Sequence, residues 1–346
     1  MTADVKALLD MLRISSPCGE EDAYADFLVK KLESLEVCES IETDIFNNVT
    51  ARIPGRNAYT LMLEAHYDEI GLIVTEITED GFIRVCGVGG ADRRTMLSAE
   101  VSINGLPGII CSVPPHIMKE GGGRKVPEYE DMYIDLGLPG EEVKKHVRVG
   151  DRAVFVPGYA KLLNGRVCGG ALDNKACVYA ILTAVEMLKS DILAGKIDIS
   201  VCILFSTREE TGGQGAKTGA YRLAPDEAMI TDVTFAKQAL TTRPFAELGG
   251  GVVIERNAYY DKRITRKLVD IAYEKKIKHV INAEFTADGT NGDTVPYTRT
   301  GVLTSGLSLP LRYMHTPVET VDIRDIEHMA RLMKAYIKEG AFWNFC

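Results

Sequence analysis

Apolar residues in the first third of the chain recur at helical spacing and then at strand spacing. Val5, Leu8, Leu9 and Leu12 fall on one helical face, Ser16-Pro17 breaks the pattern, and Phe27, Leu28, Leu32 and Leu35 mark a second amphipathic helix. Ile45-Phe46, a turn at Asn47-Asn48 and residues 49–53 then carry strand signals. The run 59–65 is apolar enough for a buried central strand, and it stops at His66-Tyr67-Asp68-Glu69.

From about Gly71 the texture changes. Residues 73–77 and 82–85 flank an Asp80-Gly81 turn, and 101–103 and 108–113 flank Asn104-Gly105, so both pairs read as hairpins. Short β pieces continue to 154–156, and Gly121-Gly122-Gly123-Arg124-Lys125 reads as an exposed loop. Residues 69–164 are therefore predicted to form a small all-β unit inserted between two halves, 1–68 and 165–346, of another domain. Beyond it, Asp173 opens a helix with Ala180, Ile181, Ala184 and Leu188 on its apolar face. The strand 199–205 runs into Ser206-Thr207-Arg208-Glu209-Glu210 and a turn at Thr211-Gly212-Gly213, and another strand ends at 229–232. Helices near 264–273 and 326–337 bracket a Gly-, Asp- and Thr-rich loop at 286–294. Strands alternating with helices on both sides of the insertion predict an α/β domain, its mixed, largely parallel central sheet covered on both faces.

Composition narrows the partners. At ~150 residues per domain the 346 residues make about two domains, and 46% hydrophobic with 26% charged residues excludes a disordered or collagen-like chain. The net charge of −9, from 40 basic against 49 acidic residues without a basic block, leaves no footprint for nucleic acid or an anionic membrane. The longest apolar stretch, around 177–185, is far short of the ~18 residues of a membrane span, and Asp4 and Asp10 interrupt the first apolar pattern, unlike a signal peptide. Eight scattered cysteines without a CxxC pair point to reduced thiols in the cytoplasm rather than disulfides or a cysteine zinc site.

Ligands of α/β sheets bind beyond the carboxyl ends of the strands. The polar residues where apolar runs stop are His66 and Asp68, Glu209 and Glu210, and Asp232, joined by Asp173 at a helix start and His315 in the loop Arg312-Tyr313-Met314-His315-Thr316-Pro317. Each has a plainer reading: Asp173 as a helix N-cap, His315 as a surface or satisfied core histidine, Glu209-Glu210 as a solvated loop start. Their coincidence points to metal, because two of only six histidines fall beside carboxylates in the same half of the fold. Two divalent ions about 3.5–4 Å apart need a bridging carboxylate plus a histidine and a carboxylate for each ion. Such ligands suit Zn²⁺, Co²⁺ or Mn²⁺. Neighbouring residues in extended chain point opposite ways, so one of Glu209 and Glu210 can bind metal while the other faces the attacking water. Asp68 is placed to hydrogen-bond the second ring nitrogen of His66 and fix its tautomer.

The segments Ala65-His66-Tyr67-Asp68-Glu69-Ile70-Gly71, Ala171-Leu172-Asp173-Asn174-Lys175, Glu209-Glu210-Thr211-Gly212, Asp232-Val233-Thr234 and Arg312-Tyr313-Met314-His315-Thr316-Pro317-Val318-Glu319 occur in one order along nearly the whole chain. In this the sequence resembles the M42 metallo-aminopeptidases, which include glutamyl and deblocking aminopeptidases and the tetrahedral TET peptidases. Tyr133-Ile134-Asp135-Leu136-Gly137 is similar to a segment of that family's inserted dimerisation domain. The resemblance implies a zinc-exopeptidase-like catalytic domain, a PDZ-like inserted domain, two divalent ions per subunit (Zn²⁺ or Co²⁺, with Mn²⁺ compatible) and short peptide substrates. It implies that Asp173 bridges the ions, that Glu210 and His315 complete one and His66 and Asp232 the other, and that Glu209 is the general base while Asp68 orients His66. It also implies a homo-oligomer built from dimers, as in the family's tetrahedral dodecamers. Asn291 departs from the family pattern, standing where relatives often have Asp after Gly-Thr. The alternatives are a glycoside hydrolase, an endoglucanase label being carried by some relatives, a deacylase or carboxypeptidase of the same metal type, and a non-catalytic assembly module. A single tryptophan, Trp343, gives poor material for stacking on sugars.

Overall fold

The computed structural model describes residues 4–118, 125–156, 158–241, 246–283 and 289–342, so most of the glycine loop at 121–125, Trp343 and Cys346 lie outside the described residues. Helix α1 (Val5–Leu12) starts where the Asp4 side chain accepts the Lys6 amide hydrogen at 2.9 Å, and α2 (Asp22–Leu35) buries Tyr24, Leu28, Leu32 and Leu35 along one face. One strand expectation fails. Ile45-Phe46 is a turn, with Ile45 92% exposed. Asp44 accepts the amide hydrogens of Phe46 (2.8 Å) and Asn48 (3.0 Å), which commits backbone groups that a strand would pair. The strand lies earlier, as β1 (Ser40–Thr43), antiparallel to β2 (Val49–Ile53). β3 (Thr60–His66) is buried at every position, as a central strand requires.

Next come β4 (Gly71–Ile77), β5 (Ile83–Val88), β6 (Glu100–Ile103), β7 (Leu106–Ser112), β8 (Met132–Asp135) and β9 (Arg152–Phe155). They close into an antiparallel barrel in the order β4-β5-β8-β7-β6-β9 around Leu72, Val74, Ile83, Val101 and Ile134. A short helix that the apolar pattern did not predict, α3 (Gly140–His146), follows β8 and adds Val143 to the same core.

The chain returns through β10 (Ala160–Lys161) and β11 (Arg166–Cys168) into α4 (Leu172–Leu193), then β12 (Ser200–Ser206), α5 (Gln214–Leu223), β13 (Glu227–Phe235), β14 (Val252–Arg256), α6 (Lys262–Glu274), β15 (His279–Ala283), β16 (Leu303–Leu311), β17 (Thr320–Asp322) and α7 (Ile323–Lys338). The main sheet runs β1-β2-β12-β3-β13-β16-β14-β15, and β10, β11 and β17 make a small second sheet. β3 pairs parallel with β12 and β13, and β13 parallel with β16, so the centre of the sheet is parallel and its flanks are mixed. Alternation along β3 serves both faces. Leu61 and Leu63 join the core under α4 and α7, while Met62 packs with Ala216 and Ala220 of α5. Among the described residues no helix is long and apolar enough to cross a membrane.

Candidate metal centre

Parallel pairing brings the carboxyl ends of β3, β12, β13 and β16 to one edge. Ser206 of β12 pairs with His66, and Ile230 of β13 pairs with Glu64, so Asp232 lies level with His66. Asp173 arrives from the start of α4. It is not the helix cap: Ala171 occupies that position in a left-handed conformation, with no side-chain cap bond.

The Asp173 carboxylate reaches two imidazoles with different oxygens. Oδ1 lies 3.3 Å from His66 Nε2, and Oδ2 lies 3.5 Å from His315 Nε2. Asp232 Oδ1 is 3.7 Å from His66 Nε2, and Glu210 Oε1 is 3.6 Å from His315 Nε2. Ligand atoms of His66, Asp173 and Asp232 lie within 4.8 Å of one another, as do those of Asp173, Glu210 and His315. Asp173 is thus common to two nests. Glu209 Oε2 stands 3.9 Å from His66 Nε2, beside the first nest but outside both.

Glu209 and Glu210 diverge for a reason other than strand alternation. They sit in a turn after the left-handed Arg208, and the Asp68 carboxylate accepts both of their amide hydrogens, at 3.1 and 3.2 Å. The nearest acceptor for His66 Nδ1 is the Asp68 carbonyl oxygen, at 3.2 Å, with the Asp68 carboxylate at 3.5 Å. Asp68 therefore holds the ring with its backbone and the glutamate turn with its side chain. His315 Nδ1 is 3.1 Å from the Gly90 carbonyl oxygen, in the segment after β5 of the barrel. A Cβ at Gly90 would stand 2.8 Å from that nitrogen, so only glycine lets this backbone approach the ring without displacing it.

Three supports carried no role in the sequence reading. Buried Glu319 accepts the amide hydrogens of Asp173 (3.0 Å) and His315 (2.9 Å), tying both residues to one carboxylate. Its only sequence signal is its place four residues after His315. Glu69 takes the Ser16 amide hydrogen at 2.8 Å and pairs at 2.8 Å with fully buried Lys175, locking the start of α4 to the end of β3. Asn291 donates to Glu64 Oε1 (2.8 Å) and Ser206 Oγ (3.1 Å) beneath the centre. An aspartate there would set a second carboxylate against buried Glu64, which burial has already raised to about 7. That is a local physical reason for the asparagine.

The clustered carboxylates and imidazoles shift one another strongly. Burial opposes charge on both imidazoles, yet the facing carboxylates win: Asp173, Asp232 and Asp68 hold His66 well above the usual histidine range, and Asp173 and Glu210 raise His315 to about 10. Burial would raise Asp173, but hydrogen bonds from His315 and His66 keep it well below the usual carboxylate range. Burial, assisted by neighbouring carboxylates, lifts Glu209 to about 9 and Glu210 to about 8. Divalent ions bind such ligands by displacing their protons. The donor set, two imidazole nitrogens and three carboxylates in two nests sharing Asp173, fits a pair of them.

A cavity of about 230 Å³ opens beside this cluster, lined by His66, Asp173, Glu209 and Asp232 and continuing to Glu255 and Asn282. The profile of the M42 glutamyl aminopeptidase family matches residues 47–332. The lysyl aminopeptidase of Pyrococcus furiosus is 29% identical, over 88% of each chain. An aminopeptidase from the archaeon Desulfurococcus kamchatkensis superposes with a TM-score of 0.89 at 32% identity, over 97% of this chain and 94% of that one. The TET1 peptidase of Pyrococcus horikoshii, whose structure is described as assembling into a tetrahedron or a large octahedral shell, gives 0.84 at 27% identity, over 96% and 98%.

Proposed function

The chain belongs to the M42 glutamyl aminopeptidase family and is a metal-dependent peptidase, and from that premise we propose that it removes N-terminal residues from short peptides at the centre built on Asp173. The observation that carries this reading is the shared Asp173 carboxylate, one oxygen toward His66 and the other toward His315. His66 and Asp232 would hold one divalent ion, Glu210 and His315 the other, with Zn²⁺ or Co²⁺ as the expected metals and Mn²⁺ compatible. When bound, two such cations supply the positive charge that lowers the pKa of a water, polarises the scissile carbonyl and offsets the burial and neighbouring carboxylates that raise Glu209.

The rest of the chemistry belongs to the chain. Glu209, outside both nests but lining the cavity, takes the proton of the attacking water and returns it to the leaving amine. Asp68 fixes where Glu209 and Glu210 point, through their backbone amides. Glu319 and the Gly90 carbonyl hold His315 with Nε2 aimed at Asp173 and Glu210. The glycoside-hydrolase alternative is set aside: the carboxylates here are gathered on imidazoles within 4 Å, rather than facing one another across a sugar. The deciding experiment uses aminoacyl-p-nitroanilides and their N-acetylated counterparts on chelator-stripped protein, before and after reloading with Zn²⁺, Co²⁺ or Mn²⁺. Turnover of the free amines only, and only after reloading, is expected. Cleavage of acetylated substrates, or full activity without metal, would overturn the reading.

We place the protein in the cytoplasm as a homo-oligomer built from dimers, a tetrahedral dodecamer being the assembly expected, with residues 69–164 as the dimerisation unit. Unbridged cysteines among the described residues, the TET1 likeness and exposed Ile109 and Val113 on the barrel support this. Light scattering at micromolar concentration is expected to give a large multiple of 38.0 kDa. A monomer mass would refute the assembly without touching the chemistry.

A further inference from the structure

A second cavity, of about 820 Å³, lies between α6 and β15, the last strand of the main sheet. The crossover from β14 through α6 to β15 builds it. β14 and β15 run parallel, so α6 returns along them and its first turn stands near their carboxyl ends. Register pairs Ile281 of β15 with Ile254 of β14, and Ile254 joins Ile264 and Leu268 of α6 in the core. Ile281 therefore turns to the α6 face, where it lines the cavity and stays 45% exposed. Arg256, two residues after Ile254, turns the same way. The edge of β15 away from β14 pairs with no strand among the described residues, which leaves its backbone groups open to one. The charges along this groove are uneven. Arg263 is engaged with Asp261 at 2.7 Å, and buried Lys267 donates to the Glu339 carbonyl oxygen at 3.4 Å. Arg256, Lys262 and Arg266 line the cavity, are exposed, and have no ion-pair or hydrogen-bond partner among the described residues. The carboxylates lie toward the other end of α6, where Glu274 and Glu339 pair with Lys275 at 2.7 and 3.1 Å and Asp270 stands one turn beyond Arg266.

We propose that this groove takes an extended acidic segment of a partner protein, which adds as a strand to the free edge of β15 and points carboxylates on alternate residues at α6. Main-chain hydrogen bonds to β15 supply the pairing, and the cations choose the sequence. The spacings agree. Lys262 and Arg266 are about 6 Å apart along the helix axis, and alternate side chains on a strand are about 6.8 Å apart. Two successive carboxylates on the α6 side of the added strand therefore meet Lys262 and Arg266, with Arg256 beside them at the carboxyl end of β14. Ile281 and Val269 cover the aliphatic stems of such glutamates. On a chain of net charge −9, three unpartnered cations on one groove reverse the local sign, attracting an acidic segment and repelling a basic one. A compact anion such as phosphate is served less well. The cations follow the groove, and Asp261 already takes the amide hydrogens of Arg263 and Ile264 at the start of α6, at 2.8 and 3.4 Å.

The test is fluorescence anisotropy on the full metal-loaded chain with N-acetylated peptides of alternating glutamate and valine, or lysine and valine, each bearing a C-terminal fluorophore. The glutamate peptide is expected to bind at least tenfold more tightly than the lysine peptide. Backbone N-methylation of the glutamate peptide, which removes donors and keeps every charge, is expected to cost at least tenfold on the unaltered protein. Lys262→Glu combined with Arg266→Glu is expected to reverse the preference, so that the lysine peptide binds more tightly, a gain that misfolding does not produce. Neither residue lines the cavity beside the metal centre, so turnover of p-nitroanilides is expected to stay unchanged in the variant. Equal binding of the two peptides, or no binding of either, would overturn the proposal. So would full affinity after N-methylation, displacement by inorganic phosphate as effective as by unlabelled peptide, or a variant that binds as the unaltered protein does. A fall in assembly mass in the variant, with no peptide binding to the unaltered protein, would instead make this groove a contact between copies of the chain and equally overturn it.

Discussion

Glu209→Gln keeps two ions per chain and loses turnover, with kcat falling about 10²–10⁴-fold, the span expected on removal of a general base. The substitution is nearly isosteric and the residue stands outside both ligand nests, so neither metal stoichiometry nor folding changes. An amide cannot take the proton of the attacking water or return it to the leaving amine, and the loss of about 3–5 kcal/mol of barrier lowering falls on kcat rather than on KM. Elemental analysis beside kinetics separates the two roles a glutamate can play here. Lost metal would make Glu209 a ligand, and near-full activity with metal retained would remove it from the mechanism.

Asp173→Ala has the opposite signature: both ions and at least about a thousandfold of activity disappear together, since water activation at neutral pH goes with the ions. Asp173 is the one residue common to both nests, so its removal strips a ligand from each. His66→Ala gives the internal comparison. It disables only the nest with Asp232 and leaves Asp173, Glu210 and His315 in place, so one ion per chain is expected to remain. Two ions remaining in Asp173→Ala would break the shared-carboxylate arrangement. The Asp173 amide still donates to Glu319 in the variant backbone, and circular dichroism is expected to show an intact fold.

Expectation and structure part at identifiable residues. Ile45-Phe46 has the side chains of a strand, but Asp44 lies in front of it, and an acceptor that satisfies two nearby amides outweighs β propensity where no neighbouring strand pairs. The helix α3 lacks a long apolar stripe because it buries little besides Val143. Asp173 at a helix start reads as a cap, because that is what an aspartate usually does there. Its actual partners, two histidines far away in sequence, have no local trace. Glu319, Glu69 and Lys175 stood within recognisable segments, yet Glu319 and Glu69 accept from the backbone amides of distant Asp173 and Ser16 and Lys175 donates to the distant Ile14 carbonyl, and a hydrogen bond to a backbone leaves no mark on the partner's residue type.

The sequence by itself determined that runs of apolar residues end in histidines and carboxylates, that these belong to an α/β sheet, and that the ordered motifs are those of the M42 family. These are one-dimensional facts: periodicity sets which side of an element is buried, and residue type sets which atoms can ligate. Only the tertiary structure decided that Asp173 faces two imidazoles at once, that Asp68 governs the glutamate turn, that the Gly90 carbonyl holds His315, and that Glu255 lines the same cavity as Glu209. Those are distances between residues separated by tens to hundreds of positions. They are fixed by strand register and by where buried carboxylates find backbone hydrogens, and neither quantity is carried by any local stretch of chain.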